Sequence, residues 1–127
     1  MLSTLAQVAV GGALGASARY LVGVGLVRTF GLTAFPLGII TVNVVGSFLM
    51  GVITVFLVRN GLTHFNALVA VGFLGGFTTF SSFSLETITL IERGEVGLAM
   101  LYVGLSVFLS LSALFLGLAF ARAVFPV

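Results

Sequence analysis

Long runs of apolar residues follow one another along the chain, separated by three short polar segments. A transmembrane helix needs about 20 mainly apolar residues. The pattern supplies four such runs, at about 3–27, 36–58, 65–91 and 96–125. The separating segments, RTFGLTAF, RNGLTH and ERGE, each contain a charged residue and a glycine, which is typical of turns. The pattern therefore predicts an all-α membrane protein, with residues 1–127 forming one four-span domain.

Composition indicates the same environment. The chain is 60% hydrophobic and only 6% charged, whereas a soluble domain carries roughly a quarter charged residues. It has no cysteine, and the sequence offers no nucleophile–base pair or cofactor-binding loop. Its five arginines are scattered singly rather than clustered in a phosphate-binding patch. We therefore expect a multi-pass protein of the cell inner membrane that is not an enzyme and binds no nucleic acid.

The arginines leave the orientation of the spans open. Four spans put both termini on one side, together with Arg59 and Arg122, while Arg28 and Arg93 lie on the other side. The Lys/Arg bias that fixes membrane orientation is therefore nearly absent. One interpretation is a weak preference in a protein with few charges. The other is dual topology, in which copies insert both ways up and form an antiparallel dimer.

Polar residues inside the spans are costly in lipid and usually face protein or a water-filled cavity. Asn43 and Ser47 lie one turn apart in the second span, and Tyr102, Ser106 and Ser110 form a four-residue ladder in the fourth. Such residues either hydrogen-bond neighbouring helices or their own backbone, or they line a polar pathway. The spacing is compatible with both interpretations.

The third span contains the unusual stretch GFLGGFTTFSSFS, at residues 72–84. Its glycines, Gly72, Gly75 and Gly76, permit close helix packing, but they also weaken the helix near the midpoint of the span. A broken helix at bilayer depth exposes backbone polar groups, which persist only beside protein, water or an ion. Discontinuous spans therefore often build ion sites.

After the glycines, helical periodicity predicts a hydroxyl-rich stripe beside an aromatic edge. Thr79, Ser82 and Glu86 belong to the stripe, and Phe80 and Phe83 lie beside it, one turn apart. Glu86 is the only acidic residue near the membrane interior. It is either a proton-coupled carboxylate or a structural group near the interface, and the sequence leaves both possibilities open.

These motifs resemble the Fluc (CrcB-type) fluoride channels over nearly the whole chain. The resemblance lies in GGALGASARY (11–20), TVNVVGSF (41–48), GFLGGFTTFSSFS (72–84), ET (86–87) and the tyrosine–serine–serine ladder of the fourth span. It implies antiparallel, dual-topology homodimers of four-span subunits in the lipid bilayer, each dimer with two fluoride pores. It also implies a third helix broken at mid-membrane, where the Gly75 and Thr78 carbonyls of both copies bind a structural Na⁺ on the two-fold axis.

The resemblance further assigns the residues of the pore. It implies a vestibule arginine, Arg19, and a fluoride path lined by Asn43, Thr79, Phe80, Ser82, Phe83, Tyr102, Ser106 and Ser110. The expected function is passive export of cytoplasmic fluoride by a fluoride-selective channel. Two other classes remain as alternatives: a proton-coupled, small multidrug-type exporter and a non-conducting scaffold protein.

Overall fold

The computed structural model describes residues 1–126, and all the regular structure in that part of the chain is helical. Helix α1 spans Leu2–Phe30, and α2 spans Leu37–Arg59. The third long element, Thr63–Glu92, comprises a 3₁₀ turn (Thr63–Phe65), a π-helix (Ala67–Leu74), the short α3 (Gly75–Phe77) and α4 (Phe80–Glu92). Helix α5 covers Val96–Val124. The four long apolar helices predicted from the sequence are confirmed, and each is long enough to cross a bilayer.

Each connection between long helices contains a glycine in the left-handed region. Gly31, Gly61 and Gly94 have φ angles of 74°, 65° and 80°. A side chain at such a backbone conformation is strained, so glycine suits these three reversals. The turn segments predicted from their charged residue and glycine thus correspond to the observed loops.

Glycines also let the long helices pack in two close pairs. Helix α1 packs on the π-helix, where a Cβ atom at Gly15 would collide with the Phe73 carbonyl. Helix α2 packs on α5, where a Cβ atom at Gly117 would collide with the carbonyl oxygen of Phe48. Small residues that allow backbones to approach are the usual device for helix association in membranes.

The third long helix is interrupted near its middle by two residues of extended backbone. Thr78 has φ −88° and ψ 158°, and Thr79 has φ −154° and ψ 120°. The Thr79 hydroxyl oxygen then accepts a hydrogen bond from the Ser82 N–H (3.1 Å) and caps the N-terminus of α4. The sequence predicted an interruption here, and the structure locates it at the two threonines.

Two of the three glycines before the break serve close helix packing rather than weakening of the helix. Gly75 itself is α-helical, with φ −64° and ψ −36°. Gly76 is a contact point with α1, because a Cβ atom there would lie 2.7 Å from the Gly12 carbonyl oxygen. Close packing is thus the correct interpretation for Gly76, and Gly72 contacts Gly11 similarly. The π-helix was not predicted, since hydrophobic periodicity does not separate it from an α-helix.

Candidate functional site

A groove of about 400 Å³ lies beside the break, between α2, α4 and α5. Most of the residues predicted to line a pore are on its wall, and they come from segments far apart in sequence: Asn43, Thr79, Phe80, Phe83, Ser106 and Ser110. The rest of the wall is mainly apolar or small, including Gly46, Met50 and Leu114. The break therefore opens onto a groove that combines amide, hydroxyl and aromatic groups.

Three aromatic rings follow one another along the groove and behind it. The ring centroids of Phe80 and Phe83 are 5.5 Å apart, and those of Phe83 and Tyr102 are 5.2 Å apart. Phe80 is 79% exposed on the isolated chain, whereas Tyr102 is fully buried. Tyr102 also meets Phe35 edge-on, at 5.4 Å. The buried tyrosine thus holds Phe83, while the ring of Phe80 stays accessible.

Two buried hydroxyls of α5 are left without a partner. The Ser106 and Tyr102 hydroxyl oxygens have no hydrogen-bond partner among residues 1–126, although both side chains are buried. Most hydroxyls of neighbouring helices bond a carbonyl one turn back, as Ser47 does with Asn43 (2.7 Å) and Thr87 with Phe83 (2.8 Å). An unpartnered buried hydroxyl costs free energy. Ser106, which lines the groove, therefore has a buried hydroxyl whose donor is unused.

Asn43 of α2 bonds both backbone groups of Thr79. Its Oδ1 accepts from the Thr79 N–H (2.8 Å), and its Nδ2 donates to the Thr79 carbonyl (3.1 Å). In an unbroken helix the Thr79 N–H would instead donate to the Gly75 carbonyl. Asn43 therefore hydrogen-bonds a neighbouring helix, which was one of the two interpretations of its position in the sequence. One Nδ2 hydrogen remains unused.

Arg19 of α1 reaches the other side of the break. Its Nε donates to the Gly76 carbonyl at 3.1 Å. Arg19 also lines a second cavity, of about 770 Å³, whose other charged residues are Arg28, Glu86 and Arg93. One guanidinium thus contacts both the broken backbone and a charged, open cavity.

The carbonyl groups at the break are the site's best candidates for binding a cation. Residues 1–126 contain no group of three His, Cys, Asp or Glu side chains that could bind a metal. The Thr78 carbonyl accepts no hydrogen bond from the described residues. The Thr79 N–H, which would bond the Gly75 carbonyl in an unbroken helix, donates to Asn43 instead. Uncommitted backbone oxygens of this kind can coordinate Na⁺ in broken membrane helices, so the residues present fit such an ion.

Two predicted pore residues lie outside the groove wall. The Ser82 N–H is engaged in capping α4, and Tyr102 lies fully buried against Phe83. Sequence analysis also missed the bond from Arg19 to Gly76, because no local pattern joins residues 57 positions apart. His64, the histidine of the polar segment RNGLTH, is exposed.

The fold and the groove define a four-helix integral membrane protein whose third span is broken beside a polar, aromatic-edged path. The family model described as "CrcB-like protein, Camphor Resistance (CrcB)" matches residues 6–118, and the chain belongs to this family. The resemblance seen in the sequence motifs is thereby confirmed.

Relatives of nearly the same length carry the name "Fluoride-specific ion channel FluC". The chain is 56% identical over 124 residues to the protein of Ruegeria sp. (strain TM1040), with 98% of each chain covered. It is 60% identical over 122 residues to that of Cereibacter sphaeroides (strain ATCC 17029 / ATH 2.4.9), covering 96% of this chain and 97% of the relative. Identity to the Caulobacter vibrioides protein (strain NA1000 / CB15N) is 50% over 127 residues, covering 98% and 99%.

The family and the helices together settle the broad class. The chain is a multi-pass inner-membrane protein concerned with ion transport, and it is not an enzyme, as expected. A proton-coupled exporter finds no support in these matches.

Proposed function

We propose that the protein is a fluoride-selective ion channel that gives passive export of cytoplasmic fluoride. The observation that carries the proposal is the groove in which Asn43, Phe80, Phe83 and the unpartnered Ser106 hydroxyl meet. Relatives at 50–60% identity that are named as fluoride-specific channels support the choice of ion.

Selectivity would arise from replacing the water around a small, strongly hydrated anion. A pore must offer enough donors to strip the ion, yet bind it weakly enough to release it. Asn43 keeps one Nδ2 hydrogen after bonding Thr79, and the Ser106 hydroxyl has no partner among the described residues. Ser110 and Thr79 add hydroxyls along the same wall, and Ser82 and Tyr102 supply donors beside it. Together these donors would replace the water molecules around the anion one contact at a time.

The phenylalanines would guide the anion without holding it. The edge of an aromatic ring is the positive part of its quadrupole. Phe80 and Phe83 lie at 5.5 Å with their planes inclined by 42°, and Phe80 is 79% exposed, so an anion in the groove can reach the edge of its ring. Edges bind an anion more weakly than a guanidinium does, which favours rapid passage.

A second copy of the chain would convert the open groove into a pore. The groove of one chain is open, and Phe80 on its wall is 79% exposed. We propose an antiparallel, dual-topology homodimer in which the two grooves form two pores. The nearly balanced arginines at the span ends support insertion in both orientations.

The break would also hold a structural Na⁺ on the two-fold axis of the dimer. Gly75 and Thr78 of each copy would contribute their carbonyl oxygens, and the uncommitted Thr78 carbonyl supports this assignment. When bound, the ion would neutralise the partial negative charge of carbonyls that have lost their helical donors. Arg19 and the cavity it lines would form a vestibule that attracts anions.

Proteoliposomes loaded with fluoride or with chloride test the proposal. Purified protein should release fluoride rapidly and passively, with little release of chloride, and addition of a proton gradient should not be needed. The absence of fluoride release, or equal release of both anions, would refute it.

A further inference from the structure

Breaking a helix inside a membrane leaves backbone groups that need new partners. No water is available in the hydrocarbon region, and each unsatisfied group is costly. At this break the Thr79 hydroxyl accepts the Ser82 N–H. The other side-chain partners come from different helices: Asn43 of α2 and Arg19 of α1. Nothing in the local sequence of the third span supplies these two.

We infer that Arg19 and Asn43 are positioning residues that clamp the break from its two sides and fix its conformation. We call this pair the break clamp. The inference goes beyond the proposed function, because it concerns the backbone of the third span and does not depend on which ion the groove conducts.

Asn43 suits the clamp because its amide carries both an acceptor and a donor. Oδ1 accepts a hydrogen bond from the Thr79 N–H at 2.8 Å, and Nδ2 donates one to the Thr79 carbonyl at 3.1 Å. A carboxylate of the same shape has only acceptors, and a serine has one short hydroxyl. Asparagine is therefore the small side chain that can replace both hydrogen bonds of a residue held outside a helix.

Arg19 anchors the preceding turn. Gly12 and Gly76 allow α1 to approach α3 so closely that a Cβ atom at Gly76 would lie 2.7 Å from a carbonyl of α1. This approach brings the Arg19 Nε within 3.1 Å of the Gly76 carbonyl. Arg19 does not line the groove beside Phe80, so its effect on that groove is exerted through the backbone.

The two clamp residues determine which backbone groups at the break remain without a hydrogen-bond partner. Arg19 occupies the Gly76 carbonyl and Asn43 occupies both groups of Thr79, while the Thr78 carbonyl between them stays uncommitted. Phe80 directly follows the clamped Thr79, so the same bonds set the direction in which its ring leaves the backbone. Loss of either clamp side chain should therefore make both the Thr78 carbonyl and the Phe80 ring less well fixed.

Hydrogen–deuterium exchange on the purified full-length protein tests the clamp. Asn43→Ser and Arg19→Gln should each speed exchange of the amides at 78–82 by roughly 5-fold, the effect of losing about one net hydrogen bond. Exchange in α5 should stay unchanged in both variants. Arg19→Lys, which retains a charged donor, should give a smaller increase than Arg19→Gln.

Matched controls separate the clamp from a general loss of hydrogen bonds. Asn60→Ser also removes an asparagine Nδ2 bond to a backbone carbonyl (Phe56, 2.9 Å), and Arg59→Gln removes guanidinium bonds to the carbonyls of Arg122 (2.8 Å) and Phe125. Both lie away from the break and should leave exchange at 78–82 unchanged.

Unaltered exchange at 78–82 in Asn43→Ser and Arg19→Gln would overturn the clamp, even if ion flux fell. A rise spread equally over all four spans in both variants would overturn it too, because the bonds would then act on global stability only. Exchange is measured without any transported ion, so failure of the clamp and failure of the channel proposal are distinguishable.

Discussion

The rings of Phe80 and Phe83 lie 5.5 Å apart at an angle of 42°, on the wall of the groove that the break opens. If their edges guide the anion, Phe80→Ile should reduce fluoride flux by about 10-fold or more, because the positive ring edge is lost while a similar apolar bulk remains. Flux from proteoliposomes and dimer assembly by size-exclusion chromatography measure this. Phe115→Ile is the control, because Phe115 is an exposed phenylalanine of α5 that is not on the groove wall. Equal flux in wild type and Phe80→Ile would show that the path does not pass this ring.

The buried Ser106 hydroxyl should matter for transport more than for stability. Ser106→Ala removes a donor with no partner among the described residues, so the stability of the fold should change by less than about 1 kcal/mol. Fluoride flux should fall by roughly 10-fold, since a hydrogen bond to a charged species is lost. Thermal unfolding and liposome efflux measure the two effects.

Ser47→Ala provides the comparison from α2, on the wall of the same groove. The Ser47 hydroxyl bonds the Asn43 carbonyl one turn back, so it is already engaged. Its removal should reduce flux less than removal of the Ser106 hydroxyl. The reverse order would contradict the assignment of Ser106 as a free donor.

Close packing of α2 on α5 should make Gly117 sensitive to substitution. A Cβ atom there collides with the Phe48 carbonyl, so Gly117→Ala should cost about 1–3 kcal/mol of stability. Gly104→Ala in the same helix places its Cβ atom in open space and should be neutral or slightly stabilising. Thermal unfolding in detergent compares the two variants, and equal melting temperatures would argue against the observed packing of α2 on α5.

Much of this architecture could be predicted from sequence, because long apolar runs and glycine-containing turns depend on local chemistry. An interruption of the third span was also predicted in outline from its glycines and hydroxyls, although Gly75 is helical and Gly72 and Gly76 pack on α1. Its location at Thr78 and Thr79 was not, because it depends on partners from other helices. Asn43 lies 36 residues from Thr79, and Arg19 lies 57 residues from Gly76.

The same limit applies to individual groove residues. Helical spacing placed Ser106 and Ser110 on one stripe, and both line the groove. Tyr102 belongs to the same stripe but is buried against Phe35 and Phe83, a contact that spacing alone does not reveal. Whether a hydroxyl is free or bonded to its own helix also depends on its rotamer and neighbours, as Ser47 and Ser106 illustrate.

Added positive charge on one side should impair assembly if the dimer is antiparallel. Leu32→Lys with Ala34→Lys, both in the exposed first loop, should favour one orientation and lower fluoride resistance in cells. Thr63→Lys with His64→Lys, both exposed in the 3₁₀ turn that follows the second loop, should bias insertion the other way. Each variant should be poorly active alone, and co-expression should restore activity. Full activity of either variant alone, with its single orientation verified, would exclude the antiparallel arrangement.

The most direct test of the channel itself is the reversal potential of the protein in planar bilayers, with unequal fluoride concentrations and equal pH on the two sides. A passive fluoride-selective pore predicts a current that reverses at the fluoride equilibrium potential and does not move when chloride is varied. A reversal potential that follows chloride, or a flux of fluoride that requires a pH difference, would contradict the account.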